Sequence, residues 1–217
     1  MSVSFSQSRA GNPANIRKIL EFAVFVKHHE ESDEEITQIW KANGLVVPAG
    51  YKSLGVIKKD GETWTREQST SDVTSHGYTE PTRRDITSDV TGLQLTAQES
   101  KLQTIELYNG VDLSELTTDA DGNFMWDRPS RPSARDLRVL AVGKDGDGPD
   151  AVYLARWLPR AQVTGMGQQV WNEETEIEYP LTLTAYVDSE FGTSFREIWG
   201  GPGLDHTAMG LPAPAGA

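Results

Sequence analysis

From Thr175 to Asp188 the chain reads TEIEYPLTLTAYVD. Ile177, Tyr179, Leu181, Leu183, Ala185 and Val187 fall on one parity, and Glu176, Glu178, Thr182, Thr184 and Asp188 on the other. Successive side chains of a strand point to opposite faces, so this spacing predicts one long strand with a buried face and a wet, partly acidic face. The run Phe22-Ala23-Val24-Phe25-Val26 predicts an earlier strand over about 20–28. Leu54–Ile57 and Glu62–Thr65 flank Asp60-Gly61, a pair that favours the tight turn of a hairpin.

Residues 85–98 change parity beside Gly92: Ile86 and Val90 lie on one side, Leu93, Leu95 and Ala97 on the other. A β-bulge at Gly92 would turn both sets to the same core. The Ser/Thr/Glu-rich run 66–82, with Pro81, reads as a loop containing at most one edge strand. Further strands are expected at 135–142, 151–158, 161–164 and 169–171. Two segments read as helical. Ser32-Asp33-Glu34-Glu35 resembles a capping box ahead of Ile36, Ile39 and Trp40, with Asn43-Gly44 as a stop. Ser100–Gly110 offers Ser100 as cap, Leu102, Ile105 and Tyr108 on one side, and Asn109-Gly110 as the end.

The sum is a mainly β fold, a sandwich or a barrel-forming sheet with one flanking helix, a long loop and flexible termini. No repeat or linker divides the 217 residues, which read as a single domain with an arm at 1–15 and a Gly/Pro/Ala-rich tail at 200–217.

Composition removes whole classes of chemistry. There is no cysteine, which excludes disulfides, zinc thiolates and thiol nucleophiles. No apolar run is long enough to span a bilayer, and the first residues lack the charge-then-apolar order of a secretory signal. A formal charge of −12 disfavours a surface that grips DNA, although it suits one that must meet DNA without holding it. His28 and His29 would point apart on a strand, which makes a shared metal site with Glu30 and Glu31 a poor fit. Asp119-Ala120-Asp121-Gly122-Asn123 lacks the closing glutamate of a calcium loop and reads as a turn, as does Asp145-Gly146-Asp147-Gly148. No nucleophile elbow or phosphate loop is present, and Glu173, Glu174, Glu176 and Glu178 crowd one strand end rather than flanking a bond. No enzyme and no cofactor is expected.

The order of these segments carries a resemblance. FAVFV is followed by a Pro-containing connection, then YKSLGVIKKDGETW, then PTRRDITSDVTGLQLTAQESKLQTIELYNGVD, and the series closes on EYPLTLTAYVDSEFG. Over about residues 16–200 this is similar to the major tail tube proteins of long, non-contractile-tailed bacteriophages, especially those infecting actinobacteria. The acidic connection 28–43 departs from that pattern. The resemblance implies a β-sandwich with a helix, assembled as hexameric rings that stack into a tube through which the genome leaves. It implies as partners further copies of the chain, a tape-measure protein and other tail proteins. DNA would pass without specific binding, and no membrane is involved. The place would be a virion tail assembled in the host cytoplasm. On that reading Glu176, Glu178, Thr182, Thr184 and Asp188 are candidates to face the lumen, and Glu34, Glu35 and Trp40 to touch the next ring. A terminator or distal ring protein of related fold, and a β-sandwich carbohydrate-binding module, are the alternatives; the first would stop at one ring and the second would stay monomeric.

Overall fold

A computed structural model describes residues 5, 9–30, 33–42, 44–59, 62–131 and 133–212. Among these residues the main elements follow in the order β1 (Glu21–His28), β2 (Trp40–Lys41), β3 (Gly44–Leu45), β4 (Lys52–Ser53), β5 (Thr63–Val73), β6 (Arg83–Ala97), α1 (Leu102–Asn109), β7 (Leu137–Asp145), β8 (Val152–Met166), β9 (Tyr179–Tyr186) and β10 (Arg196–Gly200). Eight strands form one antiparallel sheet in the order β4-β1-β7-β8-β9-β6-β5, with β10 also on β8. β2 and β3 form a separate two-stranded ladder.

The sheet closes on itself. β4 lies along β1, and the residues that follow it turn to β6. Leu54 N–H donates to Val24 O at 2.9 Å, Gln98 N–H donates to Val56 O at 2.9 Å, and Lys58 N–H donates to Thr96 O at 2.8 Å. Ile57 bridges Ala97 between the last two contacts. The segment 52–58 therefore joins the two sides of the sheet into a barrel, which removes two exposed edges. The expected mainly β fold with a flanking helix is the one formed.

Inside sit Val24, Val26, Leu54, Leu93, Leu95, Ala97, Leu158 and the odd-numbered side of β9. The alternation of TEIEYPLTLTAYVD holds where it is a strand: Tyr179, Leu181, Leu183 and Ala185 are buried, and Pro180, Thr182 and Thr184 are half-exposed. The strand is shorter than its pattern, however, and Ile177 and Val187 lie outside it, 42% and 63% exposed. β7 is buried on both faces. Leu137, Val139 and Ala141 enter the barrel, while Leu140 and Val142 join Ala155, Trp157 and Ile198 on the outside, under Ile36 and Ile39.

That outer layer corrects the first helix. Residues 33–39 are irregular and form a strap across β7 and β8. Only Ile36 and Ile39 point inward, and the polar groups prefer the barrel to a helix. Asp33 pairs with Arg138 and Lys27, Glu35 pairs with Arg196, and Arg196 Nη1 also donates to Ile36 O at 3.0 Å, occupying a carbonyl that a helix would use. Ser32 and Asn43 lie outside the described residues.

Other expectations need revision. Leu54–Ile57 and β5 do not pair with each other, because both lie on the same side of β6, Ile57 at its C-terminal end and β5 along the rest, from Arg83 to Gln94. Asp60 and Gly61 fall outside the described residues. No bulge occurs at Gly92; the register of β5 and β6 shifts between Ser69 and Thr70, and Ile86 and Val90 stay exposed rather than turning inward. Gly92 has a different role. A Cβ there would come within 2.7 Å of Thr65 Oγ1, so glycine lets β5 approach β6 at this point. Segments 151–158 and 161–164 are one strand, β8, whose partners change along its length, and 169–171 is not a strand. β10 has no counterpart among the expected elements.

The helix α1 packs on β9 and β8. Its N-cap is Lys101, without a side-chain bond, because Ser100 Oγ is 2.8 Å from Tyr179 Oη instead. Gly110 ends it in the left-handed region at φ 65°, as the Asn-Gly pair suggested. Its inward side is Thr104, Glu106 and Leu107, with Ile105 and Tyr108 partly buried and Leu102 exposed.

Candidate functional site

The outer face of β9 is continuous with neighbouring strands. Thr184 lies opposite Gly92 on β6 and Gln162 on β8, and Thr182 lies opposite Gln94. Thr65 and Thr63 continue the row on β5, opposite Gly92 and Gln94. Thr164 Oγ1 and Thr184 Oγ1 are 2.7 Å apart. Threonine favours a pleated, half-wet surface, and neither threonine nor glutamine carries a charge. The middle of this face is therefore polar and neutral, where its candidate residues alone had suggested an acidic one.

The acids sit at its margin, just before β9. Glu176 Oε1 accepts from Gln98 Nε2 at 2.6 Å. Glu178 pairs with Lys58 at 2.5 Å, and that contact holds its carboxyl below the ordinary value. Asp188 is elsewhere: its side chain is buried, so it is not part of any open face.

Asp188 belongs to an internal charge cluster around Arg138. Arg138 is fully buried, donates to Pro159 O and Glu30 O, and pairs with Asp33 at 2.7 Å, Asp188 at 3.1 Å and Glu190 at 3.3 Å. Phe191 lies over its guanidinium at 4.9 Å. His29 Nε2 approaches Asp188 Oδ2 at 2.7 Å. Burial alone would raise the Asp188 pKa, but the bonds from His29 and from the Glu190 and Phe191 N–H groups, with the Arg138 charge, bring it below the ordinary value. His28 turns away to Glu106, at 3.0 Å, so the two imidazoles serve different acids. Asp119 closes a turn, its Oδ1 accepting from the N–H groups of Asp121 and Asn123.

The strap residues differ among themselves. Trp40 stacks on Tyr153, with ring centroids 5.0 Å apart, and Glu35 is engaged with Arg196. Glu34 is exposed.

The most prominent feature is one the sequence only half showed. Beyond the barrel, β5 and β6 continue as a two-stranded ribbon in which Arg66–Val73 and Thr87–Val90 are exposed. Arg66 and Asp89 pair across it, as do Arg84 and Asp72. Tyr78 at the turn is 70% exposed and Ile86 62%. Hydrophobic alternation could not reveal this element, since both of its faces are wet. The mirrored order of its charges about residues 77–78, Arg66 and Asp72 against Arg84 and Asp89, is the signal that could have done so.

The chain matches one family profile and is weakly similar to several solved structures. The solved structures similar to this chain include a chain of the anti-feeding prophage baseplate, 6-fold symmetrised (13% identity, TM-score 0.45, 89% of this chain and 99% of that one). Another is from the sheath-tube complex of an extracellular contractile injection system, PVC, in the extended state (10% identity, TM-score 0.38, 92% and 99%). A third is an Hcp protein (8% identity, TM-score 0.30, 82% and 98%). No curated protein sequence matches. The sequence profile of the family described as phage tail tube protein matches residues 32–196. That span is most of the chain and runs from the strap to the start of β10: the chain belongs to the phage tail tube protein family, whose members are structural, non-enzymatic components of the virion tail.

Proposed function

We propose that this chain is the repeating subunit of the tube itself, joined head to tail into hexameric rings that stack around a bore for DNA. The observation that carries this reading is the β5–β6 ribbon. A two-stranded ribbon alone is marginally stable in water. This one also leaves Tyr78 and Ile86 exposed, and among the described residues β5 has no further strand beside it in the sheet. Those are the properties of an arm completed by a neighbouring copy. Repeating one such heterologous contact closes a ring when the rotation returns on itself.

The threonine and glutamine face of β9, β6 and β5 suits the bore. Thr182 and Thr184 offer hydroxyls without cations, so DNA phosphates find no fixed counterions to grip. Glu176 stands at the margin of that face and adds weak repulsion, while Lys58 offsets the charge of Glu178. Passage of double-stranded DNA without specific binding follows from this chemistry. A tape-measure protein and the proteins that begin and end the tube are the remaining partners, and assembly belongs in the host cytoplasm. The test is electron microscopy of the purified chain with and without the outer ribbon: the intact chain forms rings and tubes, and the shortened chain does not.

A further inference from the structure

We infer that rings join through the N-terminal arm of one copy, which docks on the two acidic, apolar loops at the opposite end of the barrel in the next copy. This inference rests on the tube reading and names the surfaces that would do the stacking.

The arm and the loops lie at the two ends of β8. Leu20 N–H donates to Lys144 O at 2.8 Å, and Lys144 is paired with Tyr153 near the start of that strand. Loop 167–178 leaves the other end of β8, where Tyr108 Oη donates to Gly167 O at 2.7 Å. Loop 111–134 leaves α1 on the same side, and Arg128 Nη2 reaches back to Asn109 Oδ1 at 3.4 Å.

Their charges are opposite. In a chain of net charge −12, residues 1–20 hold Arg9, Arg17 and Lys18 and no acid. Loop 167–178 holds four glutamates and no base, and loop 111–134 holds five acids against two arginines. The subunit's own ion pairs use some of these charges, Glu178 with Lys58 and Asp112 with Arg135 among them, and leave others over. Arg17, Asp145 and Asp147 have partners within the subunit, but among the described residues Arg9 and Lys18 make no ion pair, and neither do Glu173 and Glu174. Apolar exposure matches as well. Ile16 is 78% exposed and Leu20 59%, while Met125 is 89% and Trp171 79%. Large apolar side chains left out at both ends of one barrel mark surfaces that become covered. The strap is the poorer candidate for this contact, because Ile36, Ile39 and Trp40 are committed to the barrel beneath them.

Charge exchange and cross-linking test this directly. In Arg9→Glu with Lys18→Glu, rings should persist while the fraction stacked into tubes falls at least tenfold. Adding Glu173→Lys and Glu174→Lys to the same chain should restore tubes. The native chain has no cysteine. Ile16→Cys combined with Trp171→Cys should therefore give, on oxidation, a ladder of covalent oligomers that neither single variant gives beyond a dimer. Raised salt should weaken stacking of the wild type, because exposed charges are screened. Tubes that form equally well in the charge-reversed variant, with no ladder in the paired-cysteine variant, overturn the arm inference and leave the tube reading intact. A wild-type chain that never forms rings removes both.

Discussion

Arg138 and Asp188 stand 3.1 Å apart with side chains each 1% exposed, and through them the strap, the barrel and the turn after β9 are fixed to one another. Arg138 gathers Asp33 from the strap and Glu190 from the turn into the same site. Removing one member of a buried ionic cluster strands the rest in a medium that solvates them poorly. Arg138→Met is therefore expected to cost about 3–5 kcal/mol, more than the loss of apolar packing alone. Urea denaturation measures it. A change below about 1 kcal/mol would mean the three carboxylates are solvated well enough without the guanidinium.

Stability should be flat near neutrality and fall on both sides. For Asp188 and Asp33, burial works to raise the pKa, but hydrogen bonds and the neighbouring cations leave both below the ordinary value. A depressed carboxyl contributes stability above its unfolded pKa, about 3.9, and that contribution is lost as pH falls through the lower folded value. Tyr51 behaves in the opposite sense. Burial pushes its phenol up to about 12, although Trp157 Nε1 donates to its oxygen at 2.9 Å. Its contribution is complete below its unfolded pKa of about 10 and is lost as pH rises toward the folded one. Denaturation midpoints across the pH range check both limbs. Asp33→Asn should flatten the acid limb, and Tyr51→Phe the alkaline one.

The helix offers a paired test of packing. Leu107 is 7% exposed and belongs to the barrel core, whereas Leu102, in the same helix, is 37% exposed. Leu107→Ala should destabilise by about 2–5 kcal/mol, and Leu102→Ala by no more than about 0.5 kcal/mol. Equal losses would show that the helix packs by another face.

Shortening the ribbon separates folding from assembly. Removing residues 70–86 and joining the strands with a short glycine turn takes away exposed pairs such as Arg84 with Asp72, and no part of the barrel core. The monomer's melting temperature should move by only a few degrees, since exposed ion pairs contribute little. Ring formation by the same protein, followed by light scattering, should be abolished. Unimpaired rings would show that the ribbon is not the arm between subunits.

The sequence was most legible where one face is buried and the other wet. Tyr179–Tyr186 alternates because it is half of a barrel wall, and Gly110 announced the end of α1 because only a left-handed residue completes that turn. It was least legible where a polar group had a distant partner. The capping-box pattern around Asp33 and Glu35 is also a set of ion-pair partners for Arg138 and Arg196, more than 100 residues away, and those long-range bonds prevail over a short local helix. Asp188 shared the parity of Thr182 and Thr184, yet the strand stops at Tyr186 and the chain turns inward, so parity no longer applies to it. The ribbon was only half legible, through the start of β6, because neither of its faces touches a core.

Cryo-electron microscopy of the purified, assembled protein bears most directly on the tube reading. The expected result is a hollow tube of stacked six-subunit rings, with Thr182 and Thr184 on the bore and the β5–β6 ribbon lying against a neighbouring copy. A tube whose bore is lined by the strap side of the barrel, or a protein that stays monomeric at every concentration, would contradict it.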